Sequence, residues 1–191
     1  MKKKKLDDYE QTKINAKFMT TAYACSQSSG KEANIDEVKH YVELGANVNC
    51  FNIFGYTAAD LVLKSEEPIK KNLLEYFLSV KEFNVNNRYN EKYPTPLERA
   101  VEIEDAKDAF EICKKLVEKG AKIYSEKDNI DAIKIAKECA EPNQELIDFL
   151  IKCASEKIID STEDRTEDMS MQIYVEELGK NMKDANLMED L

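Results

Sequence analysis

Ile35-Asp36-Glu37-Val38-Lys39-His40-Tyr41-Val42-Glu43-Leu44-Gly45-Ala46-Asn47-Val48-Asn49 decides the fold, because its apolar residues recur three and four apart and then stop at a glycine before a short extended turn. The spacing of Val38, Tyr41 and Val42 predicts an amphipathic helix, and Gly45 is its expected left-handed terminator. The ending returns in Cys113-Lys114-Lys115-Leu116-Val117-Glu118-Lys119-Gly120-Ala121-Lys122-Ile123, where Gly120 lies 75 residues beyond Gly45. Midway, Leu73-Leu74-Glu75-Tyr76-Phe77-Leu78 leads to Asn84-Val85-Asn86, which repeats Asn47-Val48-Asn49 at a spacing of 37. A fixed period of this length marks stacked helical units.

A second landmark keeps the rhythm. Gly55-Tyr56-Thr57-Ala58-Ala59-Asp60-Leu61-Val62 aligns with Tyr93-Pro94-Thr95-Pro96-Leu97-Glu98-Arg99-Ala100, with Thr57 and Thr95 38 apart, and Asp131-Ala132-Ile133-Lys134-Ile135-Ala136 follows 36 residues after Thr95. Thr57 and Thr95 are suited to cap helices, and Pro96 to a first helical turn. The chain resembles the ankyrin-repeat family, whose units run about 33 residues and open with T-P-L-H-x-A. Thr95-Pro96-Leu97-Glu98-Arg99-Ala100 fits that opening with Glu98 in place of His, and Gly45-Ala46-Asn47-Val48-Asn49 fits the family's unit ending.

The resemblance implies an all-α fold, an ankyrin-like helical repeat solenoid with short hairpin loops, spanning residues 18–157 in four lengthened units. Extra residues are expected at Lys64 to Pro68 and at Glu102 to Asp108. Residues 1–17 read as a basic N-terminal tail and capping segment, 158–168 as an acidic linker, and 169–191 as a C-terminal amphipathic helix carrying Met171, Tyr174, Val175, Leu178 and Met182 on one face. That helix is open to three roles: a cap on the last unit, a ligand for a partner's groove, or an export signal.

Composition narrows the function classes. The 191 residues hold 28 Lys plus Arg against 38 Asp plus Glu, for a net charge of -10, with 42% hydrophobic and 35% charged residues. Only 5 Gly and 4 Pro argue for long helices over a turn-rich sandwich. The negative field disfavours nucleic acid, no apolar run is long enough for a membrane span, and a monomer is expected. Lys2, Lys3, Lys4 and Lys5 are followed by acidic residues rather than by the apolar core of a signal peptide. Cys25, Cys50, Cys113, Cys139 and Cys153 form an odd set without C-x-x-C spacing, which fits a reducing compartment. The expected location is the cytoplasm, or a host cytoplasm after secretion.

Catalytic constellations are not found in the pattern. His40, the one histidine, reads as a partly buried or edge residue rather than as the base of a dyad with Cys25 or Cys50. The cysteines, 25, 63, 26 and 14 residues apart, do not cluster as zinc ligands. The glycines form no phosphate loop. No catalytic residue, cofactor or metal is assigned.

Binding residues are sought on loops, where side chains are not required by a core. Phe51-Asn52-Ile53-Phe54-Gly55-Tyr56 and Arg88-Tyr89-Asn90-Glu91-Lys92-Tyr93 combine aromatics with charge, the composition of interface hot spots. Phe51, Phe54, Tyr56, Arg88, Tyr89 and Tyr93 are therefore candidates, with Phe54 and Tyr56 alternatively folding under to seal the loops. The ankyrin resemblance adds Leu61, Lys64, Arg99, Glu102, Ile135 and Glu138 on a concave face. The expectation is a noncatalytic protein-binding adaptor, in one variant a secreted bacterial effector that engages a host protein. The competing expectation is an acidic inhibitor or immunity protein that blocks a basic toxin or nuclease.

Overall fold

The computed structural model describes residues 6–27, 35–65 and 71–160, with side-chain surroundings up to 156. The basic tail at 2–5, most of the acidic linker, the 169–191 segment and part of the Lys64 to Pro68 insertion lie outside the described residues. Helices dominate, and the chain divides into two compact units, residues 1–100 and 101–191. The division falls within the 18–157 span that the residue pattern treats as one domain.

The first unit begins with α1 (Asp8–Gln27), where Asp7 accepts the Glu10 amide at 2.7 Å and so satisfies one of the helix's orphan donors. Residues 6–17, expected as a capping extension, are continuous with this helix. It is followed by α2 (Ile35–Glu43), α3 (Ala58–Leu63), α4 (Lys71–Ser79) and α5 (Pro96–Ala100). Helix α1 packs on α2 and α3, and α3 also packs on α4 and α5. Phe18 of α1 and Phe77 of α4 are both fully buried and meet edge to face, their centroids 6.1 Å apart. Leu73, Leu74, Val38, Val62 and Leu97 complete that core.

Thr57 and Thr95 cap as expected. Thr57 Oγ1 accepts the Asp60 amide at 3.1 Å while Asp60 Oδ2 accepts the Thr57 amide at 2.7 Å, and Thr95 and Glu98 repeat the exchange at 3.3 and 2.8 Å. Glu98 thus closes a capping box. Gly45 and Gly120 both have positive φ, +104° and +96°, as their terminator role requires.

The Asn-Val-Asn turns explain themselves through side chains. Val48 and Val85 are buried, while Asn49 Oδ1 accepts the Asn84 amide at 2.8 Å and Asn49 Nδ2 donates to the Glu82 carbonyl at 2.6 Å. Asn87 Nδ2 donates back to the Asn49 carbonyl at 2.9 Å, and Asn15 of α1 accepts the Asn47 amide at 2.9 Å. Asparagine is used because it both donates and accepts, and so ties one turn laterally to the next.

In the second unit, α6 (Ala106–Glu118) is capped by Asp105, a short antiparallel pair β1 (Tyr124–Ser125) and β2 (Ile130–Asp131) follows, and α7 (Ala132–Glu138) is capped by Asp131. Helix α8 (Gln144–Asp160) packs on α6 and α7. It continues to Asp160, past position 157 where the residue pattern ends the repeats. Leu116, Ile123, Ile133, Leu146 and Leu150 form the core, and Phe110 meets Phe149 at 5.3 Å. Among the described residues the β1–β2 hairpin supplies the strands, so the outward loops expected for every unit are turns elsewhere. No described helix is long and apolar enough to cross a membrane.

Candidate functional site

Two loops of the first unit build the aromatic surface. In the first, Asn52 Oδ1 accepts the amides of Phe54 and Tyr56 at 2.9 and 3.0 Å, its carbonyl accepts the Gly55 amide, and its own amide donates to Tyr56 O. The chain therefore folds around Asn52, and Ile53 and Phe54 point away from the protein, 93% and 65% exposed. In the second loop, Asn90 Oδ1 accepts the Lys92 amide at 2.9 Å and Asn90 O accepts the Tyr93 amide at 3.0 Å.

The loops meet at Gly55. Its φ of +77° is in the left-handed region, and a Cβ built there would stand 2.9 Å from the Tyr93 ring. Only glycine gives both the turn and the close approach. Four rings consequently form a continuous column. Phe51 meets Tyr89 at 5.5 Å, Tyr89 meets Tyr93 at 5.6 Å and Tyr93 meets Tyr56 at 6.1 Å, with interplanar angles of 74–77°. Edge-to-face pairs of this kind add about 0.5–1.5 kcal/mol each beyond the area they bury.

Cations brace the inner end. Lys64 Nζ lies 4.6 Å from the Tyr56 centroid and donates to its hydroxyl at 3.3 Å, and the Arg99 guanidinium carbon lies 5.1 Å from the same ring. Arg99 Nε donates to Asp60 Oδ1 at 2.7 Å, with side chains only 9% and 3% exposed. Asp60 Oδ2 receives the Thr57 amide and hydroxyl. A helix cap and a buried ion pair are thereby hydrogen-bonded through Asp60, and Arg99 joins them to the ring column by its contact with Tyr56.

The candidates divide accordingly. Phe54 and Tyr89 are exposed, Phe51, Tyr56, Arg88, Tyr93 and Leu61 are half-buried, and Lys64 is exposed over Tyr56. Of the two fates open to Phe54 and Tyr56, Phe54 is free at the surface and Tyr56 packs under Tyr93. Arg99 is placed by Asp60 rather than offered to solvent. Glu102, Glu138 and Ile135 belong to the second unit, where both glutamates are exposed on one cleft and Ile135 is half-buried, its carbonyl accepting the Cys139 amide. Asp60 and Asn52 are the structural residues absent from the candidate set. Their signals are local: Asp60 stands three residues after a capping Thr, and Asn52 precedes a glycine by three.

His40 is exposed on α2, its ring 5.9 Å from Tyr41. All five cysteines are free thiols. Burial pushes the Cys50 thiol up to about 11 and that of Cys113 further still, so neither is a ready nucleophile. Among the described residues no group of three His, Cys, Asp or Glu side chains is placed to hold a metal ion. No protein-family model matches the chain, and no curated protein matches it.

Proposed function

We propose that the chain is a noncatalytic protein-interaction module built on ankyrin-like repeats, and that its aromatic loops dock another protein. The observation that carries this reading is the aromatic surface, in which the ring column seats Tyr89 and the turn around Asn52 holds Ile53 and Phe54 outward. Large apolar side chains on a prearranged base lose little conformational freedom when a partner covers them, so more of the contact energy becomes affinity. The repeat reading is supported by the paired capping boxes at Thr57 and Thr95, the positive-φ Gly45 and Gly120, and the linked Asn-Val-Asn turns.

The test compares the full-length protein with an I53A/F54A/Y89A variant as bait in cell lysates, with bound proteins identified by mass spectrometry. Partners held by the parent and lost by an equally stable variant support the reading, and a partner set unchanged by the substitutions refutes it. Salt separates it from phosphate mimicry by an acidic inhibitor. An apolar contact keeps its association rate at raised salt, whereas a charge-driven one loses it steeply.

A further inference from the structure

The second unit contains a cleft of about 660 Å³ that the aromatic surface does not use. One wall is the turn from Val101 to Ala106 and the start of α6, and the other is the end of α7 with the connection to α8. Its floor is apolar: Val101 and Ala109 are 5% and 1% exposed, with half-buried Ile103 beside them. The walls are tied together. The Cys139 thiol, with one hydrogen to give, lies 3.6 Å from the Val101 carbonyl across the cleft and 3.3 Å from the Ile135 carbonyl on its own wall, and Asn143 Nδ2 donates to the Ala106 carbonyl at 3.0 Å.

Its rim carries one sign of charge. Glu102 and Glu104 come from the first wall and Glu138 and Glu141 from the second, all exposed, and none makes a hydrogen bond or ion pair among the described residues. Lys107 and Lys114 line the adjoining cleft instead, mixed there with Glu111 and Glu145. Within the cleft, burial first and then the charge of Glu102 raise the Cys139 thiol. The carboxylates are not gathered on one point, since no three acidic, His or Cys side chains among the described residues are placed to share a metal ion. Distributed anions over an apolar floor match cations spaced along a chain with aliphatic side chains between them.

We propose that this cleft binds a basic peptide segment of a partner protein, its Arg or Lys side chains reaching the four glutamates and an aliphatic side chain resting on Val101, Ile103 and Ala109. The proposal does not depend on the aromatic loops. The probe is an acetylated, fluorescein-labelled hexapeptide of alternating Arg and Val, titrated by fluorescence anisotropy against the full chain, with ¹⁵N amide shifts mapping its position. Shifts confined to residues 101–109 and 138–143 are expected, with no binding of the matching Gln and Val peptide. Removing four exposed charge contacts in E102Q/E104Q/E138Q/E141Q should weaken binding about thirtyfold. The variant should melt no lower than the parent, because it relieves like-charge repulsion. Should it fail to fold, E102Q/E138Q alone is expected to weaken binding about fivefold. Unchanged affinity in the Gln variants, shifts scattered over the acidic surface, or spermine binding as tightly as the peptide would each overturn the proposal. I53A/F54A/Y89A must leave peptide affinity intact, which separates failure here from failure of the loop reading.

Discussion

Replacing Arg99 by Leu tests the assembly beneath the aromatic column. Arg99 Nε and Asp60 Oδ1 are 2.7 Å apart, and little of either side chain reaches solvent. Breaking such a pair by removing one partner costs about 3–5 kcal/mol, because the remaining charge is left buried. Asp60 Oδ2 keeps the Thr57 amide and hydroxyl, which places R99L at the lower end, about 3 kcal/mol. For a unit of roughly one hundred residues this is a fall in Tm of about 12 °C or more. The double variant D60N/R99L removes both charges, keeps a carbonyl oxygen for the Thr57 amide and fills part of the space of the arginine stem. It should lie within about 1.5 kcal/mol of the parent, a coupling of about 1.5 kcal/mol or more between the two sites. Urea unfolding followed by circular dichroism, with the parent, R99L, D60N and the double variant run side by side, gives both numbers. A loss below about 1 kcal/mol in R99L, or a double variant no more stable than R99L, would refute the buried-pair account.

G55A should destabilise by about 2–4 kcal/mol, from the positive φ and the contact with Tyr93 together, and should change the near-ultraviolet dichroism of the tyrosines; an unaltered aromatic signal would mean that Tyr93 is not seated there. N49A deletes two bonds between turns and should cost about 1–2 kcal/mol in urea unfolding; a loss of less than about 0.5 kcal/mol would mean that the turns are not tied there. Cys113 should resist iodoacetamide at pH 8 in the folded protein and react on unfolding, read by mass spectrometry of digests. For Cys50, with a folded value of about 11 against an ordinary 9.0, the unfolded chain releases its proton first. Cys50 therefore has no effect on stability below pH 9 and lowers it as pH rises from there towards about 11, a loss that C50S should remove.

Local signals were legible because they act over a few residues. Thr57 and Thr95 announce caps, Gly45 announces a helix end, and the paired Asn-Val-Asn runs announce equivalent turns. The same holds for Tyr89, whose neighbours are turn formers that expose it, whereas Phe54 is open to two fates until the turn around Asn52 sets it outward. What was not legible depends on residues far apart in the chain. Arg99 looks like a surface charge until Asp60, 39 positions earlier, is brought to it by the packing of α3 on α5. Glu102, Glu104, Glu138 and Glu141 are ordinary acidic residues in an acidic chain, and become a rim only when two connections face each other across a cleft. Phe110 and Phe149 show no pattern linking them, yet their rings meet.

The Asp60–Arg99 pair bears on how a self-similar chain avoids folding out of order. Residues 57–61 and 95–99 both begin with a capping threonine and carry an acidic residue three positions on, so an offset arrangement could exchange one segment for the other at little cost to their caps. They share the threonine and the acidic character three positions on, while Ala58, Ala59 and Leu61 correspond to Pro96, Leu97 and Arg99. An exchange would set Leu61 against Glu98 and strand the Arg99 guanidinium at the place of Leu61, away from Asp60, a penalty of several kcal/mol. The pair thus acts as a lock and key between two similarly capped pieces, adding a charge requirement to the hydrophobic fit and so selecting the native neighbour where misassembly is the characteristic hazard.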